Sequence, residues 1–366
     1  MTSVSEIKAN NIKAQLASLE AGPQNLIKAC LFNLMVYTDP SRSQYFHNII
    51  FSIIEKFPCR IFFIECSVDD SQNYLQVAVS NEITGKGGTK IACDEITIQT
   101  TQSQLKRTPF IILPNLVPDL PIYLLWGQDP THENEIFPSL QKLAKRVIYD
   151  AECSSNLSSF SIKILQQLDT MKTDVMDLNW AIIEGWRDVL AQTFSTPESI
   201  QHLKNCKSMQ VYFNARESQQ IFGFEIQAAY LQAWIASQMD WKFISMSTSE
   251  KQRTITYSSN GQEIAVALIP QQKANLIPGT ILSFELESFN DHTYSITRKT
   301  TQSQVSVYIS SSEKCELPFT LPLPNLQRGG AFAKAIFYQS SNGHYRRMLK
   351  MLAQSNWKLT GSKGSA

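Results

Sequence analysis

From residue 27 to residue 150, short apolar runs alternate with helical patterns, and this alternation constrains the fold more than any other feature. Ala29–Tyr37 is brief and apolar and closes at Thr38-Asp39-Pro40, which reads as a buried strand. Ser43–Lys56 sets Tyr45, Phe46, Ile49, Ile50 and Ile53 on one side of a helix that Pro58 ends. Arg60–Glu65 reads as the next strand, and Tyr74–Ser80 with Lys90–Thr100 as a strand pair. Ile122–Trp126 (strand), Asn134–Lys145 (helix) and Arg146–Tyr149 (strand) complete the pattern. Strands joined through helices lie parallel, so the expectation is an α/β domain with a mixed, largely parallel sheet, flanking helices and one antiparallel insert. A helical stripe over residues 3–20, stopped by Gly22-Pro23, precedes it.

A chain of 366 residues exceeds the roughly 250–300 at which a single core stops growing, so a second domain is expected. The Ser-, Leu- and Gln-rich stretch 151–170 reads as the boundary, giving an N-terminal domain over 1–155 and a C-terminal α+β domain over 156–366. Helices should fill about 177–240. Asp177 reads as an N-cap, followed by a helical face of Leu178, Ile182, Trp186, Val189, Leu190 and Phe194. Six β-like runs from Trp241 to Ser310, turned at Asn260-Gly261 and Asn290-Asp291, predict an antiparallel meander over about 241–312. C-terminal helices over about 331–353 and a disordered tail over about 360–366 should follow.

Composition removes several classes of function. A net charge of +1 lacks the basic excess of a nucleic-acid binder, and His344-Tyr345-Arg346-Arg347, the most basic local run, reads as a solvated helix face. The apolar stretch Ile111–Trp126 is broken by Pro114, Pro118, Asp119 and Pro121, so no membrane span is expected. The first twenty residues lack the apolar centre of a signal peptide, which points to the cytoplasm. The 7 cysteines show neither CxxC nor zinc-ligand spacing, so reduced thiols and no metal are expected. Cys59, Cys66 and Cys93 lie on or beside strands of one domain and are the redox candidates. The loop Thr84–Lys90 is glycine-rich but lacks the phosphate-loop pattern and reads as a hairpin loop. None of the histidines 47, 132, 202, 292 and 344 sits in a nucleophile or zinc motif, and no GxSxG, HExxH or GxGxxG occurs. No catalytic, cofactor-binding or metal residue is therefore assigned.

Tryptophan and proline stand in unusual settings. Asp119-Leu120-Pro121 leads into a strand ending at Trp126, and Asp177-Leu178-Asn179-Trp180 opens a helix that continues to Trp186-Arg187. Six residues on one helix set Trp180 and Trp186 about 120° apart. Trp186 should join the core, and Trp180 should face a second domain or a partner. Asp119, Leu120, Pro121, Trp126, Asp177, Trp180, Trp186 and Arg187 are accordingly the interface candidates.

These segments resemble the OpcA family, the assembly and activator proteins of glucose-6-phosphate dehydrogenase. Leu116–Pro121 with Tyr123–Trp126 resembles the family's "lvpDLPvyLwW" stretch, and Ala144–Asp150 its "aDRvivDs". Pro58-Cys59-Arg60 matches its "HPCR" with Phe57 in place of the histidine. Asp177–Trp180 with Trp186–Ala191 is similar to "DLnW…WRelLA", and Tyr230–Ala236 loosely to "LLaaWLa". The resemblance runs in order over about residues 27–245. It implies a non-catalytic partner that binds the dehydrogenase, promotes its active oligomer and feeds NADPH production in the oxidative pentose phosphate pathway, with thiol-linked regulation in cyanobacterial relatives. Two other readings of the residues stay open at this point: a sugar-phosphate- or nucleotide-handling α/β enzyme, and a thiol redox sensor.

Overall fold

The buried run Asn33–Thr38 forms the centre of a sheet because both of its faces are covered, as a parallel strand under helices requires. The computed structural model describes residues 12–20, 26–69, 73–84, 90–170, 173–218, 221–299, 303–324, 328–338 and 342–359. The first sheet contains β1 (Leu26–Lys28), β2 (Asn33–Thr38), β3 (Arg60–Ser67), β4 (Leu75–Thr84), β5 (Lys90–Thr101), β6 (Ile122–Gly127), β7 (Arg146–Tyr149) and β8 (Asp174–Asp177). Its order is β1-β5-β3-β2-β6-β7-β8, with β4 antiparallel on β5 and every other pair parallel. This is the expected mixed, largely parallel sheet.

The chain divides into two units, and the divisions are interleaved. The first takes the described residues up to Asp150, then Thr170–Leu178 and Arg328–Tyr338; the second takes those of Ala151–Asp169, Asn179–Gln327 and Gln339–Ala366. The sequence reading placed one crossing near residue 155 and did not anticipate the two returns. Both are tied by Arg146, whose guanidinium meets Asp174 at 2.6 Å and donates to the carbonyls of Ala335, Ile336 and Tyr338 at 2.6, 3.0 and 2.9 Å. Those carbonyls close the helix Arg328–Phe337, so one buried side chain caps a helix and fixes β8. At the other end of this helix Gly329 lies against the helix Ser43–Ile54. A Cβ there would fall 2.8 Å from the Ser52 Cβ, so only glycine allows that approach.

The second unit holds β9 (Cys206–Asn214), β10 (Lys242–Thr248), β11 (Arg253–Ser259), β12 (Gln262–Gln271), β13 (Ile281–Ser288), β14 (Thr293–Arg298), β15 (Gln304–Ser310) and β16 (Phe319–Pro322). The order is β10-β11-β12-β9-β13-β14-β15-β16. The expected meander is therefore present but split: β9 enters its centre, parallel to β12 and antiparallel to β13. One face is apolar, with Val211, Ile255, Val266, Phe284, Ile296 and Val307 buried. The helix Ile226–Gln238 packs on it and is buried almost all round, down to Gln232, whose side-chain oxygen accepts from the Tyr257 hydroxyl at 2.8 Å.

Residues 151–170, expected as a boundary segment, instead hold the helix Leu157–Thr170. The last helical region is two helices, Arg328–Phe337 and Asn342–Leu352. The glycines 85, 87 and 88, and the expected tail 360–366, lie outside the described residues.

Candidate functional site

In an open doubly wound sheet, ligands enter at the carboxyl ends of the strands where the strand order reverses. The run β5-β3-β2-β6-β7-β8 has that order, and the reversal lies between β2 and β6. The turn after β2 is Thr38-Asp39-Pro40-Ser41-Arg42, without glycine, and Asp39 Oδ1 accepts from the Ser41 N–H at 2.8 Å. Arg42 is buried, pairs with Asp150 beyond β7 at 3.0 Å, and sets its guanidinium carbon 4.3 Å from the Tyr45 ring centroid. Tyr37 stacks on Trp126 at 4.2 Å, and a Cβ on Gly127 would lie 2.5 Å from the Phe46 ring. Aromatic and charged side chains of the chain itself thus pack against one another at these strand ends.

In the second unit the motif of Trp180 and Arg187 is built on two short helices, Leu178–Ile182 and Glu184–Thr193. The two helices are separated by a turn at Ile183 (φ −79°, ψ 2°), where one continuous helix was expected. Trp180, expected to stand off the core, is as buried as Trp186, each 3% exposed. Ile183, absent from the expected face, is fully buried, and Ile182 is only half-buried. Asp177 ends β8, is fully buried and immediately precedes the helix Leu178–Ile182, the position the N-cap reading gave it.

What reaches solvent is the half-buried Arg187. Its guanidinium carbon lies 3.4 Å from the Trp180 ring centroid, a cation–π contact, and the same ring meets Tyr345 at 5.5 Å. Burial lowers the Arg187 pKa to about 10, opposed by Glu184 and Asp188. His344 is lowered by burial first, then by the charges of Arg347 and Arg187. Arg347 in turn donates to Gln238 Oε1 at 3.1 Å and lies 3.4 Å from His344 Nδ1. The basic run near 344–347 and the Trp-Arg motif near 180–187, remote in sequence, therefore meet on one surface, where Glu184 and Asp188 accompany Arg187.

The cysteines are all reduced among the described residues. Cys59 and Cys93 are neighbours: burial raises both thiols, Cys93 to about 11, and each senses the other. Such thiols are the opposite of the accessible, low-pKa thiolate a sensor uses. Cys66 lies toward the far end of β3, where its sulfur donates to Gln102 Oε1 at 3.5 Å.

The family described as Glucose-6-phosphate dehydrogenase subunit N-terminal domain matches residues 52–166, and the corresponding C-terminal domain family matches residues 173–317. The chain belongs to the OpcA family. It is 25% identical over 241 residues to an OxPP cycle protein named OpcA from Nostoc punctiforme, covering 64% of this chain and 50% of that one. A Synechocystis OpcA is 24% identical over 246 residues, covering 64% and 49%. The chain spans about half the length of these relatives. Among solved structures it is similar to KijD10, a 3-ketoreductase from Actinomadura kijaniata with NADP and TDP-benzene, in its open conformation. The TM-score is 0.51 at 11% identity, covering 88% of this chain and 94% of that one. At that identity the likeness shows the fold alone.

The OpcA-family motifs mostly hold the fold. Asp119 is exposed in a left-handed conformation (φ 63°), which aspartate tolerates, and Asn33 pins the turn through Val117, accepting at 2.9 Å and donating at 3.0 Å. Leu120 and Pro121 are half-buried beside it. Trp126, Asp177 and Trp186 are buried. Arg60, of the Pro58-Cys59-Arg60 match, pairs with Asp94 at 2.6 Å and donates to the Asn115 carbonyl at 3.1 Å. Sequence reasoning missed Asn33 and Arg146 as organisers, because their partners lie far away along the chain.

Proposed function

We propose that this chain is a non-catalytic, cytoplasmic partner of glucose-6-phosphate dehydrogenase that promotes the enzyme's active oligomer, activates it allosterically and so favours NADPH formation in the oxidative pentose phosphate pathway. The observation that carries the reading is the pair of OpcA-family matches, one after the other over residues 52–166 and 173–317. The side chains packed at the reversal point of the first sheet support the non-catalytic part, since a dinucleotide needs room and a glycine turn there. Among the described residues no helix is long and apolar enough to cross a membrane. An activator works by binding the active conformation more tightly than the inactive one, and each 1.4 kcal/mol of preference shifts that equilibrium about tenfold.

The surface assigned to the dehydrogenase is the patch of Arg187, His344 and Arg347, in which Trp180 holds Arg187 in place. A pre-oriented guanidinium loses little freedom on binding, which suits an anchor for an acidic surface. Replacing Arg187 by alanine should weaken binding by about 2 kcal/mol, roughly thirtyfold in Kd, with the larger effect at low salt. Calorimetric titration against the dehydrogenase from the same organism measures this, with the variant's melting temperature as the control for folding. Unchanged affinity in a folded variant would remove the patch from the interface.

A further inference from the structure

We propose that a cavity of about 240 Å³ between the helix Ser43–Ile54 and the β4–β5 hairpin binds a small organic cation, an ammonium or guanidinium group on a short aliphatic stem, with Glu95 as its buried counter-charge. Glu95 lies in β5, pairs in register with Ser80 of β4 and Ile61 of β3, and is 3% exposed. Its Oε1 accepts from the Thr97 hydroxyl at 2.9 Å. Its Oε2 is buried and has no hydrogen-bond partner among the described residues, and Glu95 is one of the residues that line the cavity. A buried carboxylate oxygen left without a donor is costly, so its persistence needs a reason.

Besides its two carboxylates, the described wall holds the amides of Gln44 and Asn48 and the imidazole of His47. His47 Nδ1 is 3.8 Å from Oε2, beyond hydrogen-bond length, and the imidazole is held there by stacking on Phe63 at 3.8 Å. Burial lowers the His47 pKa, against the charges of Glu65 and Glu82, so the ring is neutral at ordinary pH. Glu82 forms a second acidic wall, while Glu65 is satisfied by the Ser43 hydroxyl and by Gln99 at 2.7 Å. Among the described residues the lining holds no lysine or arginine. Ile50, Phe51 and Ile54 give an apolar side that fits methylene groups. Two carboxylates and a neutral imidazole facing aliphatic side chains match an N–H-rich cation on a stem and reject an anion. Burial, with Glu82 and Glu65 adding to it, raises Glu95 to about 7, and a bound cation would favour its ionised form.

The inference is independent of dehydrogenase binding and is tested on the purified full chain alone. n-Butylammonium is titrated by calorimetry and by amide chemical shifts, with n-butanol as the neutral molecule of the same shape. Saturable binding of n-butylammonium that tightens as pH rises through about 7 is expected, without saturation by n-butanol. Glu95→Gln keeps the shape and the Thr97 contact and should weaken binding at least about tenfold, while Glu82→Gln should weaken it less. Melting temperatures show that both variants fold. Equal binding of the amine and the alcohol, unchanged affinity in Glu95→Gln, or no saturable binding of the amine would overturn the proposal. None of these outcomes alters the binding titration with the dehydrogenase.

Discussion

Replacing Arg146 by alanine will destabilise the first unit by about 3 kcal/mol or more, since each buried carbonyl left without a donor costs about 1–3 kcal/mol. The side chain is 6% exposed and meets Asp174 twice, Nε at 2.8 Å and Nη2 at 2.6 Å. Its loss leaves the carbonyls of Ala335, Ile336 and Tyr338 without their guanidinium donor and removes the ion pair with Asp174. It touches both returns of the chain to this unit. Denaturant unfolding measures the loss, and hydrogen exchange should place it in β8 and the helix Arg328–Phe337. Arg146→Lys should not restore stability, because a single ammonium cannot span the carboxylate and the carbonyls of a helix end together. Native stability in Arg146→Ala, or protection lost elsewhere, contradicts this account of how the returns are held.

A comparable effect is expected in the second unit for Arg253→Ala. Arg253 grips Glu225 through Nε and Nη2 at 3.0 and 2.9 Å, donates to the Lys358 carbonyl at 2.9 Å, and lies 4.9 Å from the Trp357 ring centroid. Trp357, 1% exposed, adds its indole N–H to the same carboxylate at 3.3 Å. The single variant breaks a buried ion pair and should cost about 3–5 kcal/mol. The double variant Glu225→Leu/Arg253→Met removes both charges and should cost markedly less than Arg253→Ala alone, a positive coupling in a mutant cycle. If the two losses simply add, the pair is not a coupled unit.

Much of the fold was legible because periodicity reports burial. Arg253–Ser259 and Gln304–Ser310 alternate cleanly and match β11 and β15 to the residue. The strand Cys206–Asn214 escaped because its alternation slips: Cys206 is buried, then Met209, Val211 and Phe213, with the sheet register shifting opposite Glu287 and Ser288. The four residues of β8 are too few to show a period. The serines of 151–170 suggested a linker, yet Ser158 and Ser161 are buried because their hydroxyls donate to the carbonyls of Leu352 and Leu157. The site was less legible. The motifs around Arg187 and His344 were visible separately, but nothing local says that they meet. Glu95 reads in sequence as an ordinary exposed acid, and only the packing of β3 and β4 beside it makes it a buried one.

The central claim is tested most directly by steady-state kinetics of glucose-6-phosphate dehydrogenase from the same organism, with and without the purified chain, while light scattering follows the enzyme's oligomer. The expected result is a stable complex, a shift toward the larger oligomer, and a lower KM or higher kcat at stoichiometric chain, with no NADPH formed by the chain alone. Unchanged kinetics and oligomer at saturating chain, or glucose-6-phosphate-dependent NADPH formation by the chain alone, would contradict it.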